Sequence, residues 1–94
     1  MIRSTGPDST GSTVSVRLRF FARYAEVLGT DAVTVDLQAP ATVAHAVSYV
    51  RESLPNGAAL PEKPLVAVNL EHVLLHQSIN DGDELAFLPP LAGG

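Results

Sequence analysis

Apolar and polar residues first alternate at residues 13–20, where Val14, Val16, Leu18 and Phe20 interleave with Ser15, Arg17 and Arg19. A period of two sends successive side chains to opposite faces, so this stretch predicts a strand with one buried face, starting at Thr13. Phe21 falls on the polar side of that alternation, an apolar exception on an otherwise solvated face. From Phe21 to Leu28 the composition is helical and stops at Gly29, a residue that closes helices because it tolerates the left-handed conformation. Val33, Val35 and Leu37 alternate with Thr34 and Asp36, which predicts a second strand ending near Pro40, antiparallel to the first. After Thr42, the expected N-cap, the period changes. Val43, Ala46, Val47, Val50 and Leu54 recur at helical spacing, with Ser48, Arg51 and Glu52 off the stripe. Pro55 ends that helix, because its ring disfavours helical geometry in the residue before it.

Asn56-Gly57 and the prolines at 61 and 64 mark a loop. Leu65–Asn69 reads as a buried strand and Val73–Leu75 as a shorter one. Asn80-Asp81-Gly82-Asp83 reads as a turn, since these residue types tolerate left-handed backbone. Glu84–Leu88 is the last strand, with Leu85 and Phe87 on one side and Glu84, Ala86 and Leu88 on the other. The order is strand, short helix, strand, long helix and three strands. It predicts an α+β domain, a mostly antiparallel sheet with the long helix packed on one face; the β-grasp fold has this order. The domain spans residues 13–88. Residues 1–12, rich in Ser, Thr, Gly and Pro, bury too little to offset their ordering entropy and are expected to form a flexible tail. Residues 89–94 are expected to form a second flexible tail.

Composition narrows the function. The chain has 94 residues, enough for one core and not two. It has no cysteine, which excludes disulfides, thiolate metal sites and a cysteine nucleophile. Six Lys and Arg against ten Asp and Glu give a net charge of −4, which argues against nucleic acid or an anionic membrane as partner, because both need clustered basic groups. No apolar run is long enough to span a bilayer, and no secretion signal is present at the N-terminus. A cytoplasmic location fits.

The candidate groups for chemistry are few. His72 and His76 flank an extended segment, where four positions span about 13 Å, too far for a shared metal. His45 lies off the apolar stripe of the long helix and reads as a solvated residue. Asp81, Asp83 and Glu84 lack the alternating ligands and distal glutamate of a calcium loop; turn chemistry accounts for them. No glycine pattern cradles phosphate. The end of the chain is different. Pro89-Pro90 stiffens the exit from the last strand, and Leu91-Ala92-Gly93-Gly94 follows with no charge. A terminal carboxylate reacts only where it enters another protein's site, and glycine has no side chain to obstruct a narrow channel. Activation by ATP would make it an acyl-adenylate, open to a sulfur or nitrogen nucleophile.

Arg19-Phe20-Phe21-Ala22-Arg23, Glu26-Val27-Leu28-Gly29, Val68-Asn69, Asp81-Gly82-Asp83-Glu84 and Phe87-Leu88-Pro89-Pro90-Leu91-Ala92-Gly93-Gly94 together resemble the MoaD/ThiS group of ubiquitin-like proteins, the small-subunit sulfur carriers of molybdopterin synthase. The segments span residues 14–94 in order, and the ending is the most specific. The N-terminal extension and Ser78-Ile79-Asn80 depart from the pattern. The resemblance implies a β-grasp fold. It implies that Gly94 is adenylated by a ubiquitin-activating-like adenylyltransferase that consumes ATP, and is then converted to a thiocarboxylate. The tail would enter the large subunit of molybdopterin synthase, where the sulfur passes to cyclic pyranopterin monophosphate. The chain would be a carrier without catalytic side chains or a bound cofactor. Carriers for thiamine, cysteine or tRNA thiolation, and ubiquitin-like modifiers, share the Gly-Gly end and stay open as alternatives. Phe21 and Leu88, the apolar exceptions, are the expected docking residues, with His72 at the edge of the patch.

Overall fold

The computed structural model describes residues 12–90. The alternation at residues 13–20 becomes β1 (Thr13–Phe20), with Val16, Leu18 and Phe20 buried. A short helix α1 (Arg23–Leu28) follows and ends on Gly29, whose φ of 75° is left-handed. It begins two residues later than the composition predicts, because Phe21 and Ala22 form the reversal out of β1. Strand β2 (Ala32–Gln38) pairs antiparallel to β1, Val16 opposite Val35.

Helix α2 (Val43–Ser53) buries Val43, Ala46, Val47 and Val50, the predicted stripe. Its N-terminus is a capping box. The Thr42 hydroxyl accepts from the His45 backbone N–H at 3.4 Å, and His45 Nδ1 accepts from the Thr42 N–H at 3.0 Å. His45 is exposed, as its position off the stripe implies, yet it also serves the helix. The next two helical N–H groups donate to the carbonyls of Gln77 and Leu75 at 2.9 Å. The segment leading into the last strands is thereby tied to the start of α2, satisfying donors the helix cannot pair itself.

After α2 the loop doubles back through a 3₁₀ turn at Gly57–Ala59. Gly57 is pressed against the helix: a Cβ there would lie 1.8 Å from the Val50 carbonyl oxygen. Gly57→Ala is expected to destabilise the fold by ~2 kcal/mol, because backbone on both sides must move apart; chemical denaturation measures it.

Strands β4 (Leu65–Val68), β5 (Glu71–Val73) and β7 (Glu84–Leu88) complete a five-stranded sheet of order β2-β1-β7-β4-β5. Neighbours are antiparallel except β1 and β7, which run parallel at the centre. The fourth predicted strand is corrected: it occupies Glu71–Val73 rather than Val73–Leu75, since the chain turns after Val73, the Gln77 N–H donating to the Leu74 carbonyl and the Leu75 carbonyl accepting from the start of α2. Two-residue strands β3 (Ala41–Thr42) and β6 (Ser78–Ile79) pair beside the helix, and no periodicity that short is readable in the sequence. The sheet with one main helix across one face is the β-grasp architecture.

The core lies between sheet and helix. Phe20 and Phe87, register partners on the two parallel strands, stack with ring centroids 5.4 Å apart, and each fully buried side chain of this size contributes roughly 1.5–3 kcal/mol. Burial also raises the Tyr24 phenol above its ordinary pKa, with Arg23 beside it pulling weakly the other way. The acidic turn is spent on structure. Asp83 accepts from the Asn80 N–H at 2.7 Å and from Asn69 Nδ2 at 2.9 Å, and Asp81 Oδ1 accepts from the Ser15 N–H at 2.7 Å. These bonds pin the start of β7 to β1 and to the end of β4.

Candidate functional site

The sheet has a second face, opposite the helix, and the register assigns its residues. Arg19 is opposite Ala86, Ala86 opposite Ala67, and Ala67 opposite His72, which makes one row across four strands. In the next row Leu88 is opposite Leu65. Phe21 continues that row past the end of β1, and Leu74 continues it past β5. Large apolar side chains thus line one end of the face, while two alanines leave a shallow floor behind them.

Exposure agrees with this assignment. Phe21 is 36% exposed, Leu65 46% and Leu74 68%, and Leu88 is half-buried. Together these neighbouring side chains make an apolar patch on an otherwise solvated sheet face, a candidate docking surface. His72 is exposed on β5, the edge strand, beside this row. It joins Lys63, Leu65 and Leu74 in lining a groove of about 380 Å³ at the β4–β5 edge.

Leu65 and Leu74 are the members that sequence reasoning missed. The signal for Leu65 was present: it alternates with Val66 in a strand read as buried throughout, and only one of the two can face the helix. Leu74 gave no such signal. Its place follows from the hydrogen bonds of Leu75 and Gln77 carbonyls to α2, and from the Gln77 N–H donating to the Leu74 carbonyl at 3.1 Å.

Charge borders the patch on its other flank. Arg17 Nε and Arg19 Nη1 lie 3.7 and 3.8 Å from the same Glu84 carboxylate oxygen. The Arg19 guanidinium also sits 5.2 Å from the centre of the Phe21 ring, a cation–π distance. Such exposed pairs add little stability, but they hold the Arg19 head between an acid and the ring.

Phe21 is set by the turn that follows it. The Tyr24 N–H donates to the Phe21 carbonyl at 3.0 Å, and Ala22 between them has φ 51° and ψ −123°, the geometry of a type II′ turn that favours glycine. A Cβ there is strained. Ala22→Gly is expected to stabilise the protein by ~1 kcal/mol, read as a raised thermal midpoint with the sheet unchanged.

Strand β7 ends at Leu88, the centre of the apolar row, and Pro89 and Pro90 follow, half-buried and exposed. The chain therefore leaves the sheet at the end that carries Phe21, Leu88, Leu65 and Leu74. Leu91, Ala92, Gly93 and Gly94 lie outside the described residues, as do residues 1–11. Among the described residues no group of three His, Asp or Glu is placed to hold a metal, and no helix is long and apolar enough to cross a membrane.

Comparison with known proteins gives consistent results. The ThiS family matches residues 18–94. The molybdopterin synthase sulfur carrier subunit of Escherichia coli is 38% identical over 80 residues, 84% of this chain and 99% of that protein. The crystal structure of small archaeal modifier protein 1 from H. volcanii superposes with a TM-score of 0.75 at 30% identity, covering 83% of this chain and 99% of that one. At 21% identity the fold alone is shared, with a TM-score of 0.63, by a chain from the complex of subunits 1 and 2 of the molybdopterin-converting factor of Helicobacter pylori, over 86% of this chain and all of that one.

Proposed function

The chain belongs to the ThiS family, and from that membership and the site geometry we propose that it is a sulfur carrier for molybdopterin synthesis. The observation that carries this reading is that β7 and Pro89-Pro90, which lead to the Gly-Gly end, leave the sheet at the end of an apolar face. Docking through Phe21, Leu65, Leu74 and Leu88 holds the body of the carrier outside the partner. Leu91, Ala92, Gly93 and Gly94 then reach inside, behind the Pro89-Pro90 brace. His72 and Arg19 border the contact.

The chemistry takes place at the Gly94 carboxylate. An adenylyltransferase of the ubiquitin-activating kind transfers AMP from ATP to it, and a sulfur donor displaces AMP to leave a thiocarboxylate. The large subunit of molybdopterin synthase then receives the tail and passes the sulfur to cyclic pyranopterin monophosphate. This chain supplies the acyl group and the docking surface and binds no cofactor. The partner supplies the catalytic side chains. The cytoplasm, where ATP is available, is the place for this cycle.

Intact-mass analysis after incubation with ATP, a sulfur donor and the cognate activating enzyme tests the reading. The expected result is a mass gain equal to one sulfur-for-oxygen exchange, and its absence overturns the proposal. The likeness to an archaeal modifier protein supports a second reading, attachment to lysines of other proteins. That reading expects isopeptide-linked adducts in cells in place of a free thiocarboxylate.

A further inference from the structure

Lys63 is the only lysine in the chain, and it stands where the tail leaves the sheet. Strand β4 runs antiparallel to β7 with Leu65 opposite Leu88, so the segment entering β4 and the segment leaving β7 extend past the same end. Lys63 is two positions before Leu65. It is exposed and lines the groove with Leu65, His72 and Leu74. Its neighbour Glu62 lies 3.8 Å from Arg51 Nη1 instead, and Lys63 joins no ion pair among the described residues.

The reach is sufficient. Gly94 is six residues beyond Leu88, and six residues extend to roughly 20 Å. Register partners lie about 5 Å apart, two residues of backbone from Leu65 to Lys63 span at most about 7 Å, and the four-carbon lysine stem adds on the order of 6 Å. Even laid end to end, these steps fall within the span of the tail. Holding a nucleophile and an acyl group on one chain raises their effective concentration far above that of free lysine in solution.

We propose that Lys63 is the internal acceptor for this chain's own activated C-terminus, forming an isopeptide ring between its Nζ and the Gly94 carbonyl carbon. The inference rests on the reading of Gly94 as an activated acyl group. The deprotonated amine attacks the carbonyl carbon of the acyl-adenylate, the C–N bond forms, and the C–O bond to AMP breaks. AMP leaves with the electron pair, the amine loses its proton to solvent, and ATP is the co-reactant that activated the carboxylate. The closed ring has no free terminus to load. Ring closure competes with sulfur transfer whenever the activated tail is not held by a partner, and docking over the Lys63 groove suppresses it.

The test needs no activating enzyme. The full chain is prepared with Gly94 as a thioester, by thiolysis of an intein fusion, and incubated in mildly alkaline buffer. The expected product is a monomer lighter than the acid by one water, with a branched Gly94–Lys63 peptide on digestion and a rate unchanged by dilution. Lys63→Arg, which keeps the charge at an exposed position, is expected to lose this product entirely and to yield only the hydrolysed acid. Hydrolysis alone in the unmodified sequence overturns the proposal. So does a cross-linked dimer whose yield falls on dilution, or a ring that persists in Lys63→Arg through the N-terminal amine. Failure of the carrier reading is seen separately, as the missing sulfur mass gain in the enzymatic experiment.

Discussion

Deletion of Gly94 is expected to abolish sulfur loading completely while leaving the thermal midpoint of unfolding unchanged. The loss is total because the reacting carboxylate is displaced by one residue, about 3.5 Å of extended chain, and a misplacement of even 1 Å costs on the order of 100-fold in a positioned reaction. Stability is unaffected because the core runs from Val16 to Phe87 and the last strand ends at Leu88. Intact-mass analysis and thermal denaturation on one preparation separate the two effects. A deletion variant that still gains sulfur, or one that unfolds, contradicts the assignment of Gly94 to chemistry alone.

Replacing Leu88 by aspartate is expected to weaken binding to the large subunit by about 2–4 kcal/mol, roughly 30- to 1000-fold in Kd. The size follows from its place. Leu88 is at the centre of the apolar row, between Phe21 and Leu65, where a carboxylate would be desolvated on docking without a partner. Leu65→Asp is expected to act similarly, and it discriminates between surfaces because Leu65 is 46% exposed in the free protein. Calorimetric titration measures the loss, and circular dichroism shows whether the fold persists. Intact binding by both variants would remove this face from the interface, whereas unfolding of both would return Leu88 and Leu65 to a structural role.

The two sets of residues behind these predictions were legible to different degrees. Phe21 and Leu88 stood out as apolar residues breaking a polar alternation, and both belong to the exposed row. Leu65 obeyed a pattern that was read as burial on both sides, because Leu65–Val68 is apolar throughout and such a run conceals which face is which. Leu74 lay in a segment with no period at all. The acidic turn was correctly read as turn chemistry, but its hydrogen bonds to Ser15 and Asn69 cross long stretches of sequence and could not be foreseen. Nor could the parallel pairing of β1 with β7. An alternating pattern specifies a strand's faces without naming its neighbours.

By itself, the sequence determined the order of the main elements, the helix stripe, the buried side of each long strand, and the Gly-Gly end after two prolines. These are local properties, carried by periods of two and 3.6 and by the chemistry of single residues. Only the tertiary structure decided that the tail leaves beside Phe21, Leu65, Leu74 and Leu88. It alone brought Lys63 to the same end of the sheet and spent the acidic residues on holding β7 in register. Those facts depend on strand pairing between residues tens of positions apart, which the cooperative packing of the whole sheet against α2 selects and no local pattern encodes.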